Sequence, residues 1–296
     1  MYSLIRAGED TWYAPAPTSI GIFRYSEHEV CMIDAGARDI AVRVLEQIIN
    51  RGWELKKLFL THSHADHVAG AAYLREQTGC EVYAPGISAA AVKHSFLIPV
   101  TLYGGSTTQD MCTKLLQPPP CDCAELDGSA LPPGLDFARL DGHDMAQAVF
   151  HTRDGVWFTA DAVVSSEALK KHRISFVYSQ KQHRASLERL AGFEGKLFVP
   201  AHDIVCEDIR PLIRDNLAAM DEVAADIEEM CSTPQTIDDL IAACLERYRI
   251  RLYLMQYLLV GQTVRGYVTW LLDNKRIEPV YEGTRLLFRK KSYNKE

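Results

Sequence analysis

One ten-residue segment constrains this chain more than any other part of its sequence. Residues 58–67 read LFLTHSHADH, so an apolar, strand-like run leads directly into His62, His64, Asp66 and His67. Imidazole and carboxylate groups are ligands that suit zinc, iron or manganese. Residues two apart on an extended segment point the same way, so His62 and His64 can hold one ion. Once the chain turns, Asp66 and His67 face a second position beside the first.

Three later segments supply the ligands that two metal sites would still need. Residues 140–143, 158–161 and 198–202 each end an apolar, strand-like run with one His or Asp. Strands in a layered α/β fold present the side chains at their ends to a shared cleft. The three additional candidates are His143, Asp161 and His202.

The order and spacing of these motifs resemble those of the metallo-β-lactamase superfamily, particularly its glyoxalase-II-like hydrolases. The resemblance covers roughly residues 18–205. It implies one metal held by His62, His64 and His143, a second held by Asp66, His67 and His202, and Asp161 as the bridge between them. It also implies that Asp34, in the segment MIDAG, steadies the histidine loop from behind.

The chain departs from the family pattern beside two of these histidines. The family usually has Gly-His-Thr-Pro-Gly where residues 142–146 read GHDMA, and Gly-His-Gly where residues 201–203 read AHD. Both departures keep the ligand histidine, and the second adds a carboxylate near the second metal. They therefore bear on substrate positioning and leave metal binding in place.

The resemblance implies a metal-dependent hydrolase. Two divalent ions, zinc first and iron or manganese as alternatives, would lower the pKa of a shared water. The resulting metal-bound hydroxide would attack a thioester, ester or lactone carbonyl of a small-molecule substrate, oriented by Asp66. The alternatives are a metal-dependent ribonuclease or phosphodiesterase of the same superfamily and an iron oxidoreductase of the same fold. A formal net charge of −7 and a pI near 5.8 argue against nucleic acid as partner.

The patterning predicts an α/β fold, a four-layer αββα sandwich, with a C-terminal helical, winged-helix-like appendage. Strand-like and helix-like stretches alternate over residues 1–210, which we take as the catalytic domain. Residues 211–296 would form the appendage: helices from Pro211, from the N-cap Thr236, and over residues 252–259 and 264–272, then a hairpin over residues 277–288.

Two regions are expected to shape the substrate site. Residues 93–131 lack a regular pattern, and such a long loop inside a compact domain predicts a lid or wall at the mouth of the cleft. The appendage is rich in apolar side chains, including Leu252, Tyr253, Tyr267 and Trp270. A unit of this size would not bury them alone, so we expect them to pack against the cleft side, with a homodimer interface as the alternative.

The remaining candidates are weaker. Cys121 and Cys123 are either ordinary loop thiols or a soft-metal pair. His94, His172 and His183 lie in segments that could border the cleft, whereas His28 and His151 suit a turn and a strand. The basic run 170–173 is either a solvated surface or an anionic subsite.

The location of the protein follows from three features. The first residues lack the apolar core of a secretory signal, and the longest apolar stretch, residues 252–260, is too short to span a membrane. Eight cysteines are scattered through the chain, which is typical of reduced thiols. We therefore expect a cytoplasmic protein that does not insert into membranes.

Overall fold

The computed structural model describes residues 3–113 and 116–292. The strands are β1 (Ile5–Arg6), β2 (Thr11–Ala14), β3 (Ile20–Arg24), β4 (Glu29–Ile33), β5 (Glu54–Phe59), β6 (Glu81–Ala84), β7 (Ala124–Glu125), β8 (Leu135–Arg139), β9 (Ala148–Thr152), β10 (Val156–Ala160), β11 (Leu197–Pro200), β12 (Ile277–Glu282) and β13 (Arg285–Lys290). The α-helices are α1 (Arg38–Ile49), α2 (Ala65–Val68), α3 (Ala71–Thr78), α4 (Ile87–Lys93), α5 (Leu97–Tyr103), α6 (Ser166–Lys171), α7 (Gln180–Leu190), α8 (Arg210–Met230), α9 (Ile237–Arg247) and α10 (Leu254–Asp273).

The strands form two sheets and a separate hairpin. Strands β1 to β7 make one sheet in sequence order, antiparallel from β1 to β4 and parallel from β4 to β7. The second sheet has the order β11-β10-β9-β8, with β10 and β11 parallel. The two sheets pack face to face over a common core in which the rings of Phe59 and Phe150 lie 5.6 Å apart.

Helices cover the outer face of each sheet. Val44 and Ile48 of α1, with Leu74 of α3, pack on the first sheet. Leu187 of α7 and Ile213 of α8 pack on the second. The layers therefore run helix, sheet, sheet, helix, and the predicted αββα sandwich is confirmed.

Two local predictions in this part were wrong. The pattern of residues 67–77 predicts one helix, but α2 and α3 are separate helices on either side of Ala69 and Gly70. A Cβ at Gly70 would lie 2.5 Å from Cβ of Ala41, so the chain passes close against α1 at this break. Residues 93–131 were expected to be irregular, yet they contain α5 and β7, because tertiary packing orders short segments whose own pattern is weak.

The C-terminal region contains three helices and a hairpin in the predicted order. Thr236 caps α9 through a capping box in which Asp239 N–H donates to Thr236 Oγ1 over 3.1 Å. Two helices were predicted over residues 252–272, but α10 is continuous. Gly261 is buried against α9 within it, so packing offsets a helix-interior glycine that costs about 1 kcal/mol.

Helix α8 links the two parts of the molecule. Ile213, near its start, belongs to the core outside the second sheet. Val223 and Ile227, further along, belong to a core shared with α9, α10 and the hairpin. The C-terminal region is therefore packed on the sandwich through a common helix.

The apolar surplus of the appendage is only partly buried. Tyr267 is buried and Trp270 is half-buried, whereas Leu252 and Tyr253 are exposed. The expectation that all of them pack inside was wrong at the start of α10. Across the described ranges, every helix falls short of the length and apolar character that crossing a membrane requires.

Candidate metal centre

The predicted ligands come together at the ends of four strands. His62 and His64 follow β5, and Asp66 and His67 lie in α2, which begins at the next residue. The other three follow later strands: His143 lies in the turn after β8, Asp161 directly after β10 and His202 shortly after β11. All seven side chains that the sequence singled out therefore meet at one edge of the sandwich.

The first group consists of three histidines and one aspartate. His64 Nδ1 lies 2.9 Å from His62 Nε2 and 3.0 Å from His143 Nε2. Asp161 Oδ2 lies 3.3 Å from His143 Nε2. Ligand atoms about 2.0–2.1 Å from a tetrahedral zinc ion would be about 3.3 Å apart, so this spacing suits a shared ion.

The second group lies beside the first and is more open. His202 Nε2 lies 3.1 Å from Asp66 Oδ2, and His67 Nε2 lies 3.6 Å from the same oxygen. Asp161 Oδ1 lies 3.3 Å from His67 Nε2 and 3.5 Å from His202 Nε2. Because its other oxygen contacts His143, Asp161 faces both groups at once.

Hydrogen bonds behind the cluster orient the rings of two histidines. His67 Nδ1 lies 2.7 Å from a carboxylate oxygen of Asp34, and His202 Nδ1 lies 2.6 Å from the carbonyl oxygen of Pro17. In each case Nδ1 is the proton donor, so Nε2 points into the cluster. His67 Nε2 and Asp161 Oδ1 are buried and have no hydrogen-bond partner among the described residues.

Asp34 is held in a conformation that few residues adopt. Its φ angle is 64°, which costs a non-glycine residue about 1–2 kcal/mol. There its carboxylate accepts hydrogen bonds from both the backbone N–H and the hydroxyl of Thr61, next to His62. The strained turn thus holds the ligand loop in place, which is the role that the family resemblance implies for Asp34.

The protonation preferences of the first group fit cation binding. Burial lowers the pKa of His143 to about 4, and burial and the neighbouring histidines hold the pKa of His62 well below its ordinary value. Burial opposes the ionisation of Asp161, but His67 and His143 hold its pKa well below the usual range. Neutral imidazoles and ionised carboxylates are the forms that ligate metals, and a bound cation would satisfy the buried atoms that lack partners.

Comparison with known proteins identifies the family. The family model of the metallo-β-lactamase superfamily matches residues 14–202. This chain belongs to the metallo-β-lactamase superfamily. Members of this superfamily hold divalent metal ions, and the His/Asp cluster fits such a site.

Individual relatives agree with this membership. A hydroxyacylglutathione hydrolase from Cereibacter sphaeroides is 31% identical over 41% of this chain and 39% of its own length. A hydroxyacylglutathione hydrolase from Ruegeria pomeroyi is 28% identical over 64% of this chain and 65% of its own length. The chain thus spans less than two-thirds of these curated relatives. The crystal structure of a β-lactamase domain protein from Burkholderia ambifaria, 16% identical, covers 98% of this chain and 94% of its own with a TM-score of 0.75.

The two departures from the family motifs have different consequences. Asp144, at the usual threonine position, is buried and accepts hydrogen bonds from the hydroxyl groups of Ser63 and Ser88 at 2.7 and 3.3 Å. It ties the ligand loop to α4. Asp203 was expected to add a carboxylate near the second metal, but it accepts from the backbone N–H of Ile204 and belongs to neither ligand group. One oxygen of this carboxylate is thus engaged within its own turn.

The weaker histidine candidates lie outside both ligand groups. His94 and His172 are exposed. His183 is buried behind His143, and burial lowers its pKa to about 3. The backbone of His183 lies close to Gly142, whose φ is +121°. A Cβ at Gly142 would be only 2.2 Å from His183 N. His183 therefore packs under the His143 turn and does not reach the cleft.

The candidate soft-metal cysteines and the candidate anionic subsite have ordinary structural surroundings. Cys121 and Cys123 lie against the core of the first sheet, and no ligand group in the described part of the chain includes them. In the basic run, Lys170 and Lys171 are exposed and Arg173 pairs with Glu222. These lysines thus form a solvated surface.

A cavity of about 570 Å³ opens from the cluster. Its polar end includes His64, Asp66 and Asp161, and its walls come from α4, α5 and α10. The sequence pointed to residues 93–131 and to the appendage as borders, but no periodicity marked the individual wall residues. They are Ile87, Ala91, Leu97, Ile98, Leu102, Met255 and Leu259.

Proposed function

We propose that this protein is a dinuclear-metal hydrolase that cleaves the carbonyl of a small-molecule thioester, ester or lactone. The observation that carries the proposal is the position of Asp161, whose two carboxylate oxygens face two adjacent ligand groups. If Asp161 is shared in this way, each group has four ligands. The first has His62, His64, His143 and Asp161, and the second has Asp66, His67, His202 and Asp161. Zinc is the proposed metal, because imidazole and carboxylate ligands in this number suit it, with iron and manganese as alternatives.

The assignment of ligands follows the two groups. The first ion would be held by His62, His64 and His143, and the second by Asp66, His67 and His202, with Asp161 between them. Two bound divalent ions supply Lewis acidity for the carbonyl oxygen and make water acidic enough to act as a nucleophile near neutral pH.

Asp66 is the proposed positioning residue for the attacking water. Its side chain is half-exposed and lines the cavity, and the Thr18 hydroxyl donates to its Oδ2 over 3.1 Å. Burial opposes its ionisation, but His67 and His202 hold its pKa below the usual range. An ionised carboxylate facing the cavity accepts a hydrogen bond from the water and aims its oxygen at the carbonyl carbon. The water oxygen bonds to that carbon, the carbon–sulfur or carbon–oxygen bond breaks, and the leaving group takes up the proton that the water loses.

A thioester is the favoured member of this substrate class. The relatives named hydroxyacylglutathione hydrolase act, by that name, on an acylated thiol. In hydrolases of this kind the nucleophile is water, so the chain itself needs no serine or cysteine nucleophile in the cleft.

Nucleic acid is disfavoured as a substrate. Two basic residues near the end of the described chain are engaged, since Arg289 pairs with Glu278 and Lys290 with Glu229. No lysine or arginine is among the described residues that line the cavity. Binding a phosphate backbone requires such free positive charge.

The test combines metal analysis with a substrate panel. The purified protein is expected to contain close to two transition-metal ions per chain and to hydrolyse thioesters faster than RNA. Asp161→Asn should lower metal content and activity together, whereas Asp203→Asn, a neighbouring carboxylate outside the cluster, should change neither. One ion per chain in the wild type, together with full activity of Asp161→Asn, would contradict the dinuclear proposal.

A further inference from the structure

The cavity beside the metal centre has a marked division of chemistry. One end carries the cluster residues His64, Asp66 and Asp161. Beyond them the walls are almost entirely aliphatic or aromatic, with Leu97, Leu102 and Leu116 on one side, Met255 and Leu259 on the other, and Phe176 near the histidines. A ligand with a polar carbonyl at one end and an apolar body at the other fits this division.

The size of the cavity excludes a small acyl group as its natural occupant. Pockets of about 300–1,000 Å³ enclose most of a drug-sized ligand, and this one measures about 570 Å³. An acetyl or lactoyl group would leave most of the apolar wall in contact with water, which is unfavourable.

The charges of the residues that line the cavity also favour an uncharged acyl group. Glutathione carries free carboxylates, and a site that recognises them within the cavity would need cationic partners. The described lining residues include no lysine or arginine. The only carboxylates among the described lining residues are Asp66, Asp144 and Asp161, all at the polar end.

Apolar surface also continues outward from the cavity. Ile87 and Tyr178 line it and are 50% and 39% exposed. Phe96 and Tyr103, at the two ends of α5, are 53% and 50% exposed. Exposed apolar side chains on the elements that line a pocket are typical of a binding surface.

We infer that the cavity is an acyl-binding pocket for a substrate with an uncharged, apolar acyl group of medium to long chain. The carbonyl lies at the His64–Asp66 end, and the chain lies between α5 and α10. This inference rests on the proposed hydrolase function and names the substrate class of the same site. The C-terminal region thereby becomes a determinant of specificity, since Met255 and Leu259 belong to it.

The kinetic test uses the metal-loaded, full-length protein and thioesters of N-acetylcysteamine that carry straight acyl chains. Each buried methylene contributes about fourfold in affinity. We expect kcat/KM to rise by at least about a hundredfold from acetyl to octanoyl. Leu102→Trp and Leu259→Trp, which fill the cavity from opposite walls, should each lower the octanoyl-to-acetyl ratio of kcat/KM at least about tenfold, mainly through KM. Leu286→Trp, on the exposed hairpin, is the matched control and should leave the ratio unchanged.

A binding measurement separates this inference from the proposed function. Titration calorimetry of metal-free protein with octanamide and butanamide should show tighter binding of the longer amide, with a negative heat-capacity change. The tryptophan variants should lose that difference. A flat or falling chain-length profile, or faster turnover of a hydroxyacylglutathione than of the octanoyl thioester, overturns the acyl pocket. If no thioester is hydrolysed at all, the hydrolase proposal fails, while the amide titration still decides whether the pocket binds acyl chains.

Discussion

The two ligand groups of the metal centre differ chiefly in how far water reaches them. In the first group, His62 is fully buried and the side chain of His143 is 8% exposed. In the second, the side chains of His202 and Asp66 are 41% and 49% exposed. A preformed, desolvated group holds its geometry without the ion, whereas an open group has water as a competitor. The comparison suggests a tightly held first ion and a second ion that exchanges more readily.

The largest effect should come from removing a ligand on the buried side. His143→Ala opens the first group and disturbs Asp161, which both groups share, so we expect loss of both ions and a fall in kcat of at least about a thousandfold. His202→Ala should lose only one ion. Metal content by mass spectrometry, with activity, measures both variants. Equal metal loss in the two variants would contradict the difference between the groups.

A second variant tests the hydrogen bond by which Asp34 orients His67. Asp34→Asn keeps the size of the side chain but weakens its hold on His67 Nδ1 and on Thr61. Groups that orient a ligand in this way contribute about 10–100-fold to metal affinity. We expect a loss of that size for the second ion, measured by competition with a chelating dye. Asp127→Asn, which changes an exposed carboxylate that caps its own turn, is the control.

The pH dependence should also separate the groups. In the metal-free protein, burial opposes protonation of His202, but the nearby carboxylates of Asp161 and Asp66 raise its pKa to about 10. Metal must therefore displace a proton there at neutral pH, and affinity for the second ion should fall at least about tenfold per unit as pH drops from 8 to 6. The low pKa of His143 leaves no proton to displace, so the first ion should respond much less. Identical slopes for the two ions, measured by calorimetric titration at each pH, would argue against this distinction.

The smallest effect should come from the hydrogen bonds of Asp144. Asp144→Asn removes the charge that accepts from Ser63 and Ser88 and leaves the ligands in place. We expect a loss of about 1–3 kcal/mol in the free energy of unfolding, with metal content retained. Urea denaturation measures the first and metal analysis the second. Loss of an ion in this variant would instead make Asp144 part of the support of the metal centre.

Much of the fold and the ligand cluster was predictable from the sequence. The strand before His62, the amphipathic face of α8 and the capping box at Thr236 are local patterns, written in residues close together in the chain. The same holds for the motifs at the other strand ends. Local prediction failed where packing prevailed, as at the break beside Gly70, in the continuous α10 and in the ordering of α5.

The sequence by itself determined which side chains meet at the metal centre, because each ligand follows an apolar strand and strand ends converge at one edge. Only the tertiary structure decided which residues form the cavity beside these ligands. The cavity is built from α5 and α10, whose wall residues Leu102 and Leu259 are far apart in the chain and share no motif. A pocket wall needs only apolar surface at the right place, and that place is set by how helices pack across the sandwich. The exposure of the second ligand group was decided in the same way, since burial depends on neighbours that residue type does not specify.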